Sequence, residues 1–472
     1  MTVVTYGDLP GVEAEVRGGA VAQLTVGYEQ KLVIFGRGDQ SNGTASYNTP
    51  KQVQTSVDAT TYFGDGSELA AACSDALANG ANPEYVYGVM PTETTVSAEA
   101  VAGGSGTLSN APIVEDASTI TVTNTTQSQT DTVVFRYESV PDTSSLAAGE
   151  VAINPFTGEF DSGGSDDYEI DYSYLDWSSA LDAADTTVKH NETAIYCTLS
   201  ESESVGQTLS TKLDELRPTY KLIRGVTGAQ PNDTNTDGEP AFDTSNYTDT
   251  LDNDALFAAA PVRISGSTKT VLGGIGGRFA GNALTNPIYG DVLKGFDNLT
   301  QELTPTEEGD PKTESQAGSG LRGEQVMPIR DDGSDGGDGL TIEDSLSTST
   351  ASDWIRDYHR RRIVDQILLS ARTIGETARG RRMTDTLIGD TEEQVVDVLI
   401  DFANDGLIET SGNAGQLSDS TSNNSEEDGE QDYSATITRT DTDTLALTVS
   451  FTPIGVTKNI QETIVVSNSR AA

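Results

Sequence analysis

The chain has 472 residues, enough for two or three domains with room for a sizeable core. Its 74 acidic residues against 28 basic ones give a formal net charge of -46, a field that repels phosphate and argues against nucleic acid as a partner. A hydrophobic content of 35% with long alternating and helical patterns argues against an acidic disordered chain. The acidity, with abundant Thr, Ser, Gly and Asp, suits a surface that stays hydrated in concentrated salt.

The two cysteines, Cys73 and Cys197, sit in apolar surroundings, match no metal spacing and are expected to be buried thiols. The amino end lacks the basic and apolar regions of a signal peptide, and no run of eighteen apolar residues occurs. A soluble, cytosolically made protein without membrane insertion is therefore expected.

Residues 1–22 read as an arm with short β-prone pieces around Leu9-Pro10-Gly11. Leu24 to Phe35 predicts a strand, ending in the apolar run Leu32-Val33-Ile34-Phe35 typical of a sheet covered on both faces. Arg37-Gly38-Asp39 matches a cell-adhesion tripeptide, a signal of almost no specificity. A helix over Glu68 to Asn79 and a strand over Tyr85 to Val89 complete an α/β unit.

From about Gly103 the pattern changes to period two, through Thr119–Asn124, Thr132–Tyr137 and Tyr168–Tyr174, which predicts a small inserted β domain over 103–177. The α/β alternation then resumes with helices near Ser178–Ala184 and Ser204–Leu216 and strands at Thr193–Leu199 and Tyr220–Gly225. The cluster Gly273-Gly-Ile-Gly-Gly-Arg-Phe-Ala-Gly281 lacks the ending of a phosphate loop and reads as close backbone packing. Asp331–Gly339 reads as a hinge, without the terminal Glu of a calcium loop.

Asp353 to Arg382 predicts an amphipathic helix of about six turns, with Ser352 or Asp353 as N-cap. Its polar face carries Arg356, Arg360, Arg361, Arg362, Arg372, Arg379, Arg381 and Arg382. Such a positive island has three readings: bonds to acidic residues of the same chain, an interface to another acidic subunit, or nucleic acid, which the overall field opposes. On the interface reading, charge reversal at Arg360, Arg361 and Arg362 is expected to leave folding intact. A second helix over Thr391–Asn404 precedes a hairpin in which Ala435 and Ile437, then Leu445, Leu447, Val449 and Phe451, alternate. Residues 460–472 hold a last β-prone piece.

Catalysis finds no constellation. His190 and His359 are the only histidines, and no GxSxG elbow, HExxH pair or Cys-His arrangement occurs. No enzyme activity, cofactor or metal is expected.

The chain resembles the tail sheath proteins of contractile-tailed viruses and related contractile injection systems. The likeness rests on Leu9-Pro10-Gly11-Val12, Leu32-Val-Ile-Phe-Gly-Arg with Asn48-Thr49-Pro50, and Tyr62-Phe-Gly-Asp-Gly-Ser. Tyr85-Val-Tyr-Gly-Val, the Gly274 to Asn286 segment, and the arginine helix with its hairpin and last strand complete it. It is a likeness of order and texture over most of the chain. Three departures stand out: a shorter leader, a β module of a kind that varies among sheaths, and greater acidity.

The resemblance implies an α/β core of mixed sheet and flanking helices (23–102 and 178–335), an outward-facing β insertion (103–177) and an α+β tube-proximal domain (340–459). Extended arms (1–22 and 460–472) flank these. It implies rings of six subunits stacked around a tail tube protein, with baseplate and tail terminator proteins at the ends. Contraction would drive the tube through a target envelope for genome delivery, in a virion tail assembled in the host cytoplasm. Val3, Val4, Val12 and Val16 of one arm and Ile460, Ile464 and Val466 of the other would add strands to the hairpin of a neighbour. The arginine helix would meet the tube or an adjacent subunit. Two alternatives stand beside this reading: a halophilic cell-surface or adhesion protein, with sequons such as Asn124-Thr125-Thr126, and an α/β hydrolase-like enzyme.

Overall fold

The computed structural model describes residues 30–450, except 190–191, 220, 249, 266–269, 287, 289, 297–298, 301, 310–318, 332–338, 351–356, 379–383, 409–432 and 440–444. The predicted arms, with Val3, Val4, Val12, Val16, Ile460, Ile464 and Val466, lie outside the described residues, as does Phe451.

The first unit runs β1 (Lys31–Phe35), β2 (Lys51–Gln52), α1 (Ser56–Phe63), α2 (Glu68–Ala78) and β3 (Val86–Val89). Seven strands follow: β4 (Thr92–Val101), β5 (Ser105–Thr107), β6 (Thr121–Asn124), β7 (Gln129–Phe135), β8 (Glu150–Ile153), β9 (Glu159–Asp161) and β10 (Tyr168–Asp176). The alternation resumes with α3 (Trp177–Ala184), β11 (Thr193–Thr198), α4 (Glu203–Leu216), β12 (Leu222–Gly228), the small pair β13 (Asp233–Thr234) and β14 (Pro240–Ala241), and β15 (Leu256–Ala260). Next come α5 (Leu272–Gly281), β16 (Val292–Leu293), α6 (Pro305–Glu308), α7 (Gly320–Gly323), β17 (Val326–Asp331) and β18 (Leu340–Ile342). Last are α8 (Tyr358–Ala378), α9 (Asp385–Asn404), β19 (Ser434–Arg439) and β20 (Leu445–Ser450).

The core is a nine-stranded mixed sheet in the order β16-β18-β17-β15-β12-β11-β1-β3-β2. Its central strands β3, β1, β11, β12, β15 and β17 are parallel, and the direction of winding reverses at β1. The apolar run of β1 serves two faces. Leu32 and Ile34 pack with α1, α2 and α5, whereas Val33 and Phe35 pack with α3 and α4. Burial on both sides is what a continuous apolar strand demands.

Two elements differ from expectation for physical reasons. Leu256–Ala260, reading Leu-Phe-Ala-Ala-Ala, forms the fully buried strand β15, although alanine favours helix and the run carries no alternation. The glycine cluster is the helix α5, despite the cost of glycine in a helix interior. Its glycines let two helices touch along their backbones. A Cβ built on Gly273 would lie 2.4 Å from the Ala72 carbonyl oxygen, one on Gly277 2.4 Å from that of Ala76, and one on Gly281 2.0 Å from that of Gly80. The close packing expected of these residues is thus achieved with one face of α5 laid along α2.

The second sheet has the order β4-β10-β6-β7-β8-β9-β5 around its own core of Val122, Val151, Ile153, Phe160, Ile170 and Tyr172. It begins at Thr92 rather than near 103, because β4 pairs with β10 from Thr92 opposite Asp176 to Val101 opposite Tyr168. β18, at the start of the expected 340–459 segment, instead joins the core sheet between β17 and β16.

The α2–α5 contact yields a prediction. Gly277→Ala should destabilise the protein by about 1–3 kcal/mol, since the facing group is backbone and cannot yield. Gly375→Ala in α8, where a Cβ meets nothing within 4 Å, should stabilise by about 0.5–1 kcal/mol. Thermal unfolding of both variants checks the pair, and equal effects would contradict the packing argument.

Candidate interaction surfaces

Helix α8 starts at Tyr358, five residues after Asp353. Asp357 caps it: its Oδ1 accepts the amides of His359 (3.0 Å) and Arg360 (3.2 Å), and its carbonyl accepts the Arg361 amide (2.9 Å). Tyr358 then plunges into the core against Phe257 and Phe279, with ring centroids 5.4 and 4.1 Å away, and donates its hydroxyl to the Phe279 carbonyl.

Two of the three arginines that come after it also point inward. Arg361 and Arg362 are each 2% exposed. Arg361 donates to Asp254 (2.6 Å) and Asp365 (3.2 Å), and Asp365 in turn accepts from Arg224 of β12 at 2.6 Å. Arg217 binds the other oxygen of Asp254, and Arg224 reaches Gln30 at 2.5 Å. Arg362 has a different role. It donates to the carbonyls of Asn282 (2.6 Å) and Ala283 (3.2 Å) just past the end of α5, where a cation complements the helix dipole, and it stands 5.5 Å from the Tyr358 ring. Burial, outweighing the favourable Tyr358, pushes its guanidinium below the ordinary arginine range.

For Arg361 and Arg362 the reading that holds is therefore bonding within the chain. The expectation that reversing Arg360, Arg361 and Arg362 together spares folding is corrected, because two of the three are core residues. Arg360 is half-buried, and Arg372 pairs with Glu376 one turn on at 2.9 Å. Arg356, Arg379, Arg381 and Arg382 lie outside the described residues. Arg224 was missed by sequence reasoning, although a charge inside the otherwise apolar Leu222–Gly228 run is a signal that the strand needs a buried partner.

Helix α9 begins earlier than predicted, at Asp385, because the Thr384 side chain accepts the Leu387 amide at 3.1 Å. Its buried stripe of Val395, Leu399 and Phe402 meets Ile363, Ile367 and Ile374 of α8. The hairpin appears as predicted, with Ala435 opposite Val449, Ile437 opposite Leu447 and Arg439 opposite Leu445. Ala435, Leu447 and Val449 pack on the same cluster. Among the described residues, β19 and β20 pair with each other alone, so each has an open edge.

Other candidates are committed elsewhere. Arg37 of the adhesion-like tripeptide binds Glu93 (3.0 and 3.1 Å) and Asp116 (3.3 Å), while Asp39 accepts from Ser41 and Asn42. Asn124 of the sequon is 1% exposed and donates to Asp166 and Tyr168. His359 is buried, and burial first, then Arg362 and Arg360 against Asp357, lowers its pKa. His190 lies outside the described residues. Cys73 and Cys197 are buried free thiols that burial pushes far up. Among the described residues, no three His, Cys, Asp or Glu side chains cluster to share a metal ion, and no helix is long and apolar enough to cross a membrane.

No protein-family model matches the chain, and neither does any curated protein. Solved structures do share its fold. The sheath tail protein of Listeria innocua is 12% identical, with a TM-score of 0.50 over 91% of this chain and 93% of that one. A chain of the anti-feeding prophage baseplate is 11% identical, with a TM-score of 0.53 over 98% of this chain and 100% of that one. At such identities the likeness is one of fold. The chain thus has a sheath-tail type of fold over nearly its whole length.

Two predictions follow from the buried charges. Asp365→Asn strips the shared carboxylate from Arg224 and Arg361 and should cost about 3–5 kcal/mol, whereas Glu376→Gln at the α8 surface should change stability by under about 0.5 kcal/mol. Denaturation midpoints decide. The second concerns pH: burial alone would raise Asp254, but Arg361 and Arg217 hold it below the ordinary carboxylate range. A depressed carboxylate adds stability above its unfolded pKa of about 3.9 that is lost as pH falls through the folded value. The parent should therefore lose more stability than Asp254→Asn between about pH 5 and 2, read as melting temperature against pH.

Proposed function

We propose that the chain is a structural subunit of a contractile tail sheath, and not an enzyme. The observation that carries the reading is the fold shared with a sheath tail protein across more than nine-tenths of both chains. The β19–β20 hairpin supports it: among the described residues its two strands pair with each other alone, and such a two-stranded sheet is marginal by itself and suited to accept strands.

On this reading six subunits form a ring, and rings stack around a tail tube protein. Baseplate and terminator proteins close the ends. The arms, through Val3, Val4, Val12 and Val16 and through Ile460, Ile464 and Val466, extend the hairpin of neighbouring subunits at Ala435, Ile437, Leu445, Leu447, Val449 and Phe451. Strand addition satisfies backbone groups across the contact and keeps subunits joined while they rotate between an extended and a contracted lattice. That change drives the tube through an envelope and delivers a genome, in a virion tail assembled in the host cytoplasm. Arg360, with Arg356, Arg379, Arg381 and Arg382 outside the described residues, is offered for contacts with the tube or a neighbour; Arg361 and Arg362 hold the subunit itself together, and Arg372 is paired with Glu376. The acidic surface suits a salt-rich setting.

Electron microscopy of the purified chain in molar salt tests this. Hollow tubes of stacked rings are expected, and removal of residues 1–16 should abolish them while the melting temperature stays near the parent value. Dispersed monomers that persist after tube protein is added would overturn the reading.

A further inference from the structure

The second sheet is joined to the core by a narrow neck. β3 ends at Val89 and β4 starts at Thr92; β10 ends at Asp176 and α3 starts at Trp177. Thr92 and Asp176 face each other in the β4–β10 ladder, so the chain enters and leaves side by side. A two-stranded ribbon twists more freely than a wide sheet, and by itself it leaves the tilt of what it carries undetermined. Something beside the neck must set that tilt.

Arg263, just past β15, is placed to do so. From the core side, Glu201 accepts from its Nε. From the inserted side, Glu115 takes both terminal nitrogens in a bidentate pair, at 2.7 Å each. Two rings of the insert flank the guanidinium, Tyr137 at 5.5 Å and Phe156 at 5.7 Å, and the Tyr137 hydroxyl donates to Glu115 at 2.5 Å. The Tyr137 amide donates to Thr234 of the core at 3.0 Å. Glu201 is 5% exposed. Burial weakens the charge of Arg263, yet Glu201 and Glu115 more than offset it and hold the guanidinium well above the ordinary range.

We infer that Arg263 is the clasp of the molecule: by sharing its charge between Glu201 and Glu115 it locks the inserted sheet to the core in one orientation. Two carboxylates converge on this one cation, so its removal leaves Glu201 and Glu115 without the counter-charge that ties one to the other across the junction. Arg37 makes a second bridge, to Glu93 and Asp116. Its pair with Glu93 lies at the neck itself, next to Thr92, and its pair with Asp116 joins side chains 33% and 37% exposed, where water screens it, so losing Arg37 should leave the orientation intact. The locked insert turns with the core as one body.

The test is a distance between the two parts in the full-length chain. Val57 on α1 and Val140 in the insert are 68% and 72% exposed, whereas Cys73 and Cys197 are 0% exposed and take no label. Nitroxides on V57C/V140C, diluted with unlabelled chain, should give one narrow distance by double electron–electron resonance. R263M should lose that single distance and give a broad distribution, with amide exchange inside both sheets unchanged; R37M should keep it narrow. If R263M does not fold, E115Q serves, since Arg263 then still has Glu201 in the core. A narrow parental distance in folded R263M or E115Q, or equal broadening in R37M, overturns the clasp.

Discussion

The architecture depends on one buried exchange of charge, in which Asp365 of α8 is held between Arg224 of the central strand β12 and Arg361 of its own helix, both pairs nearly free of solvent. Charges in such a place are costly to leave uncompensated, so the helix has one position in which Arg224, Arg361, Asp365 and Asp254 all meet an opposite charge. Apolar contacts alone would allow α8 to slide or rotate over the sheet. The ionic register forbids it, and with α8 fixed, α9 and the hairpin that rest on it acquire a defined place.

The winding of the sheet reverses at β1 and β11, and the carboxyl ends of strands at such a reversal are where folds of this type take their ligands. Here the residues leaving those strands turn elsewhere. Arg37, beyond β1, and Glu201, beyond β11, join the ion pairs that meet Glu93, Asp116 and Glu115 of the second sheet. A position that serves binding in other proteins of this architecture serves here as a joint between two parts of one chain.

The fold was legible wherever a pattern is local. The apolar run of β1, the cap and stripe of α2, the stripe of α4, and the alternation of β19 and β20 all announce themselves within a dozen residues. The arginine helix was also legible as a helix, but its charges were not legible as core. Arg224 and Asp365 lie 141 residues apart, and Arg361 and Asp254 lie 107 apart, so no local window contains both members of either pair. The α5 glycines advertised close approach but not a helix, since their value lies in the Ala72, Ala76 and Gly80 backbone that they meet.

By itself the sequence determined most of the strands and helices, with β15 and α5 the exceptions, that two sheets with different habits occupy one chain, and that the chain is strongly acidic, because these follow from side-chain type and spacing along a few turns. Only the tertiary structure decided which cations face inward, where the second sheet begins, and that Leu256–Ala260 is a central strand. Each of those outcomes is settled by a partner brought from far along the chain, through burial that removes water and leaves each polar group to find its counterpart.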